Sequence, residues 1–391
     1  VKIKDVTPFV LRTPEADEPF FSSQMSFASR KALLVRVRTE DGLVGWGEGG
    51  QWGPAEPVAS AIEHVLAPRI IGADALRPTR IWEELYAYSR DFGQKGTYVE
   101  ALSAIDLALW DICGKAADRP VHALLGGAFR DRVPVYATGG FYRESYDDDA
   151  AELRRLRSEV EGFAGQGYEI VKIKLGLRPV GRDAERVAVV REVLGDRGLI
   201  LVDANHAYDA STAIRLGRSI EHLDIGWFEE PVVPEDRRGY RRVREALSIP
   251  IAGGEAEFTR FGFRDLIGDG CVDIVQPDLC GSGGFSEFLK IHALASAFGV
   301  RLVPHVWGSA VAVAAAAQAL AILPPSPHTY DPVALQNLPV GELDRSPNPL
   351  REEIVENPVR VEAGVLHIPQ GPGLGVVVDE AAVMRFTAGA R

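Results

Sequence analysis

The chain has 391 residues, enough for two or three domains of roughly 150 residues each or for one barrel of about 250 with an appended cap. Its 43 Lys and Arg against 55 Asp and Glu leave a formal charge of −12, which excludes the basic stripe a nucleic acid would need and favours a small-molecule ligand. Cys113, Cys271 and Cys280, with no Cys-x-x-Cys pair, supply neither a disulfide framework nor a zinc knuckle and suit a reducing cytoplasm.

The opening residues, Val1 to Phe20, lack the apolar core of a signal peptide. Lys31 to Gly49 holds two β-rich halves joined by Glu40-Asp41-Gly42, a hairpin signal that predicts an antiparallel sheet. Helices are expected at about 55–71, 80–90 and 98–117, the last with Leu102, Ile105, Leu109 and Ile112 on one stripe. Residues 1–130 therefore read as an α+β domain.

From Val133 the rhythm changes to short β-branched runs ending in polar residues, each followed by an amphipathic stretch, the pattern of parallel β/α units. Seven runs are visible, at 133–140, 170–176, 199–205, 226–231, 249–255, 272–278 and 300–306. Their polar ends recur evenly: Lys174 to Asp203 is 29 residues, the steps to Glu229 and Glu255 are 26 each, that to Asp278 is 23 and that to His305 is 27. An open doubly wound sheet concentrates its chemistry at one or two switch-point loops. A closed barrel over 131–335, with its functional groups at the C-terminal mouth of the strands, explains the regularity better. The Ala-rich stretch from Ala310 to Leu323 follows Ser309, a suitable N-cap; it includes Gln318 and falls short of the ~20 residues of a membrane span, so no membrane partner is expected. Residues 336–391 return to short strands and turns and are expected to pack back on the N-terminal domain.

Asp203, Glu229 and Glu255 end three consecutive strands. Three converging oxygen ligands with positions left for water and substrate suit a hard divalent ion such as Mg²⁺, and without a cation they would repel one another. Glu230 points to the other side of its strand by the period of two, so Glu229 is the ligand of that pair. Lys172 and Lys174 share one strand face and both enter the mouth, where a second cation and a metal would lower a lysine pKa toward a usable base. Asp278 and His305 end neighbouring strands, so the carboxylate can fix the imidazole tautomer. Lys174 and His305 then flank the metal site from opposite sides. A carbon acid next to a metal-bound carboxylate would lose its proton to either one, giving an enediolate.

Those residues, as Lys172-x-Lys174, Asp203-Ala204-Asn205, Glu229-Glu230-Pro231, Gly254-Glu255, Gln276-Pro277-Asp278 and Pro304-His305, resemble the mandelate racemase group of the enolase superfamily. The likeness extends to Gly45-Trp46-Gly47-Glu48, Ala108-Leu109-Trp110-Asp111 and Leu124-Leu125-Gly126-Gly127. It implies a modified TIM barrel, (β/α)7β, with an α+β capping domain and a mobile lid at about 16–30 that includes Phe20, Phe21 and Met25. It implies one Mg²⁺ on Asp203, Glu229 and Glu255, for which Mn²⁺ can substitute, Lys174 as one acid/base, and His305 with Asp278 as the other. Lys172 and Asn205 would line the substrate site. An acid near the end of the eighth strand, bonded to the substrate carboxylate, is implied as well; Asp331 has the better spacing from His305, but Glu342 matches the local pattern and is preferred.

The run from Gln276 to Glu287, the segment Val303 to Gly308 and Ala137 to Arg143 are similar to the acid-sugar cycloisomerases of that group. This makes Tyr142 and Arg143 candidates for a distal hydroxyl or carboxylate and Trp307 a candidate pocket wall. The expected reaction is proton abstraction α to the carboxylate of an acid sugar or its lactone, followed by expulsion of a ring oxygen. A dehydratase or an epimerase would share the first step. A barrel that only binds would be expected to have lost a base or ligand, and none is lost. Oligomers are common among relatives of this kind, so a homo-oligomer is expected.

Overall fold

The computed structural model describes residues 1–50, 53–143 and 148–387. The cap comprises β1 (Ile3–Arg12), the short lid strands β2 (Phe20–Phe21) and β3 (Ser26–Phe27), then β4 (Lys31–Thr39) and β5 (Val44–Gly49), with β1, β4 and β5 forming one antiparallel sheet. The expected turn at 40–42 joins β4 to β5. The alternation Gly45, Gly47, Gly49 has a direct structural reason. A Cβ on each would lie 2.1, 2.0 and 2.3 Å from the carbonyl oxygens of Ala108, Ala104 and Glu100, so the helix Thr97–Ala116 rests on bare backbone. Trp46 and Glu48 therefore leave the other face of β5. The helix expected at 55–71 is interrupted: Ala55–Ala61 widens to a π-turn over Ile62–Leu66 before Ala67–Ile70. Pro68 lies just beyond that turn; it offers no N–H to the carbonyl four residues back, and its ring crowds it.

After β6 (Arg132–Gly139) and the two-residue β7 (Tyr142–Arg143) come β8 (Ile170–Lys174), β9 (Leu199–Asp203), β10 (Ile225–Glu229), β11 (Ile251–Gly253), β12 (Ile274–Val275), β13 (Arg301–Leu302) and β14 (Gly341–Asp344). Eight of these pair in parallel in the order β14-β6-β8-β9-β10-β11-β12-β13, with a helix in each of the seven connections. The interior shows that this sheet curls into a barrel. Tyr136, Ile170, Leu201, Trp227, Ala252, Ile274, Val303 and Val340, one from each strand or its immediate flank, form a single buried cluster. Tyr136 meets Trp227 edge-on at 5.3 Å across it.

The barrel sheet thus runs to Asp344, past the expected boundary at 335. The eighth strand, Gly-Glu-Leu-Asp, hides its nature because both acids are buried against cations: Lys172 lies 2.8 Å from Glu342, and Arg30 lies 2.8 Å from Asp344. Beyond it, β15 (Val361–Glu362) and β16 (Val365–His367) add antiparallel pairing to the start of β6. The tail then reaches the cap, where Leu374 N–H donates to Asp111 at 2.9 Å and Arg36 meets Glu380 at 2.7 Å.

Candidate active site

Each charged side chain at the mouth stands where a strand ends. Asp203 and Glu229 are the last residues of β9 and β10, and Glu255 follows β11 after Gly254. All three are buried, and one oxygen from each lies within 4.8 Å of the others. Three desolvated carboxylates this close repel strongly at low dielectric and call for positive charge. Glu255 Oε2 has no hydrogen-bond donor and lies 3.4 Å from His305 Nε2. A buried oxygen set with an orphaned acceptor fits a hard divalent cation. Glu230 stands apart from the triad, with a left-handed backbone (φ +43°) and its carboxylate 3.3 Å from His206.

Lys172 is fully buried and bridges two acids, with its Nζ 2.7 Å from Glu229 and 2.8 Å from Glu342. Lys174, one pleat further, donates to Asp203. The lowered lysine pKa expected from the sequence requires a metal on the triad to offset its carboxylates; the protein's own groups act the other way. Burial does pull both lysines down, but Glu229 and Glu342 hold Lys172 well above its ordinary value, and Asp203 raises Lys174 although Lys172 opposes it. In this acid-rich mouth the carboxylates outweigh the neighbouring cation.

Opposite, His305 Nδ1 lies 2.7 Å from Asp278 Oδ2, while Asp278 Oδ1 accepts from the Cys280 amide at 2.7 Å. Burial lowers the imidazole, but Glu255 and then Asp278 bring it up to about 10. Glu342 accepts from Thr138 at 2.6 Å and from the Val306 amide at 3.1 Å. Burial raises its carboxyl, yet Lys172 and His305 hold it at about 2. Of the two eighth-strand acids considered, Glu342 is at the site and Asp331 is exposed on a loop. Asn205 has a left-handed backbone (φ +42°), and its buried Oδ1 has no hydrogen-bond partner.

The lid closes the mouth. β2 pairs with both β3 and β7, and Ser23 Oγ donates to the Ala204 carbonyl at 2.7 Å, beside Asp203. Trp307 packs 5.2 Å from Phe27 and 5.6 Å from Phe141, with the Arg30 guanidinium 4.2 Å above it. Phe20 is buried in the same aromatic group, Phe21 pairs with Tyr142, and Met25 is exposed. One expectation needs correction. The Tyr142 hydroxyl donates to Asp183 at 2.5 Å, behind the barrel wall, because its place on β7 turns it away from the mouth. Arg143 stands over the Phe20 ring at 5.2 Å and lines a cleft between the lid and Pro347. Several contributors escaped sequence reasoning, among them Gln276, whose amide donates to Glu229 at 2.8 Å, and Thr138. Gln276 carried a signal, being two residues before Asp278 on the same strand face.

Comparison with known proteins agrees with this geometry. Residues 6–126 match the mandelate racemase / muconate lactonizing enzyme N-terminal domain, and residues 155–382 match the enolase C-terminal domain-like family. The chain belongs to the mandelate racemase/muconate lactonizing enzyme family of the enolase superfamily. It is 43% identical, over 95% of both chains, to D-galactarolactone cycloisomerase of Agrobacterium fabrum. It is 34% identical, over 90% of both, to arabinonate dehydratase of Saccharolobus solfataricus. Among solved structures, the 3,6-anhydro-D-galactonate cycloisomerase from Zobellia galactanivorans superposes with a TM-score of 0.87 at 38% identity, over 99% of both chains. A racemase from Streptomyces coelicolor A3(2) with bound magnesium gives 0.86 at 29% identity, over 99% of this chain and 100% of that one. This family member is therefore an enolase-superfamily enzyme with relatives named as acid-sugar cycloisomerases and dehydratases.

Proposed function

We propose that the protein is a Mg²⁺-dependent acid-sugar cycloisomerase. The opposition of Lys174 and the His305–Asp278 pair across the carboxylate triad carries the proton abstraction, and the 43% identity to D-galactarolactone cycloisomerase favours ring opening as its sequel. Asp203, Glu229 and Glu255 would hold the cation, which would make a carbon acid beside a bound carboxylate easier to ionise. Lys172 and Glu342 orient the substrate carboxylate, Asn205 offers its unsatisfied Oδ1 to a hydroxyl, and Trp307 with the lid excludes water. The α C–H bond breaks toward one base, the electron pair moves to the carboxylate, and the β C–O bond of the ring breaks as it returns. The ring oxygen takes up a proton, so product and substrate are isomers. Asp278 on Nδ1 presents Nε2 of His305 to the substrate, and a protonated ring is suited to the donor's part.

The dehydratase reading rests on the same first step and on the similarity to arabinonate dehydratase. The two separate by product mass. Incubation with Mg²⁺ and a panel of aldonates, aldarates, anhydro-sugar acids and their lactones in D₂O, followed by proton NMR and mass spectrometry, is expected to show loss of the α-proton signal and a product unchanged in mass apart from deuterium. Loss of water would reassign the enzyme as a dehydratase. No exchange with any member would overturn both readings.

A further inference from the structure

The helix Val180–Leu194 lies outside β8, and it buries two charged side chains that the chemistry above does not use, Asp183 at 0% exposure and Arg186 at 2%. Burying either charge costs several kcal/mol unless its polar atoms are paired. Val187 and Val190 already bury this helix in the core. The two ions are directed at strand ends instead. Asp183 Oδ1 accepts from the Tyr142 hydroxyl at 2.5 Å, and Oδ2 accepts from the Tyr208 hydroxyl at 2.6 Å and from the Gly176 amide at 2.9 Å. Arg186 Nη2 donates to the Lys174 carbonyl at 3.3 Å and to that of Gly140, Nη1 donates to Glu152, and the Tyr142 ring lies 4.1 Å from the guanidinium.

These contacts reach three adjacent strands just where they finish: Gly140 follows β6, Lys174 ends β8, and Tyr208 lies in the loop after β9. The turn after Lys174 is tight. Gly176 has φ +100°, a Cβ there would lie 2.3 Å from Ala207 Cβ, and the Leu175 amide donates to the Asp203 carbonyl at 2.7 Å. A long lysine stem rooted at a loose strand end would place its Nζ poorly, and misplacement by about 1 Å costs on the order of 100-fold in rate.

We propose that Asp183 and Arg186 are positioning residues for Lys174, holding the end of β8 against β6 and β9 so that its Nζ is delivered beside Asp203. This rests on Lys174 being one of the two acid/base groups.

The test compares Asp183→Asn, Tyr142→Phe and Tyr208→Phe with Val187→Ala, which loosens the same helix without touching the network. Deuterium exchange is followed on the two α-epimers of an active substrate, one presenting its proton to Lys174 and the other to His305. The network variants are expected to lose about 10- to 100-fold in kcat and in exchange at the Lys174 face, with KM and the His305 face nearly unchanged. Val187→Ala should leave the ratio of the two faces as in the wild type. Equal loss at both faces, or none, would overturn the proposal. Should Asp183→Asn fail to fold, the tyrosine variants, which each remove one donor, decide. If the wild type exchanges nothing, the function proposed above fails on its own. The crystal structure of a tyrosine variant then still judges this proposal: Lys174 displaced from Asp203 supports it, and Lys174 in place overturns it.

Discussion

Lys172 and Lys174 share a strand face, yet their surroundings separate their parts. Lys172 bridges Glu229 and Glu342 with no exposed surface, so Lys172→Met leaves two buried carboxylates without their cation. Removing one partner of a buried pair costs about 3–5 kcal/mol, and a urea midpoint well below that of the wild type is expected, together with loss of turnover. Lys174→Ala removes one buried partner of Asp203, which keeps Lys172 at 4.0 Å, and is expected to keep the fold and Mg²⁺ binding. It should abolish deuterium exchange at one substrate face, while His305→Asn abolishes it at the other; loss of both faces in either variant would contradict the assignment. Lys174 and His305 were legible because each ends a β-rich run at a regular spacing, where a barrel presents its chemistry, and Lys172 because it shares the strand face of Lys174. Thr138 was not, since its bond to Glu342 spans 204 residues and no local pattern marks it. Tyr142 misled because a single residue on a two-residue strand decides which side of the wall it faces.

Among the elements, the cap does more than cover the barrel. Glu48, on the face of β5 opposite the glycines, accepts from the Ser309 amide at 2.9 Å, from the Ser309 hydroxyl at 2.5 Å and from the Ala312 amide at 3.0 Å. It thereby caps the helix Ala310–Ile322, which begins five residues beyond His305. Burial pushes the Glu48 carboxyl up to about 7 despite those donors. A raised folded pKa means that the folded state binds the proton more tightly. Stability from this group is therefore full below the unfolded value of about 4.5 and is lost as pH rises to about 7. The stability of the wild type relative to Glu48→Gln is expected to fall by up to about 3 kcal/mol across that window, as read by urea unfolding at pH 4.5 and 7.5. A flat difference would mean that Glu48 titrates as an ordinary carboxyl. The glycine alternation that permits this arrangement was visible as Gly-Trp-Gly-Glu-Gly, but its partner was not, because Ser309 is 261 residues away. The seven β-branched runs announced their strands in advance. The eighth strand was reached only through the resemblance, because its two acids break the β-branched pattern and find their partners, Lys172, Thr138 and Arg30, far away in the chain.

At the scale of the molecule, the cap, the barrel and the returning tail form one closed body around a strongly acidic centre. No helix among the described residues is long and apolar enough to cross a membrane. Because the triad concentrates like charge in a dry mouth, a bound cation should stabilise the whole fold. Mg²⁺ at about 100 times its Kd is expected to add about 2.7 kcal/mol and to raise the thermal midpoint by several degrees. EDTA should reverse the rise, and Asp203→Asn should show none; an equal rise in that variant would place the cation elsewhere.

The ring of eight apolar side chains beneath the site has its own consequence. With the barrel plugged below and Phe20 and Phe27 packed on Phe141 and Trp307 above, a ligand reaches the acids from this side only if those aromatic contacts part. Along that path, each departing molecule must clear the gap before the next arrives. Opening of the lid contacts then sets an upper limit on how fast one molecule can replace another.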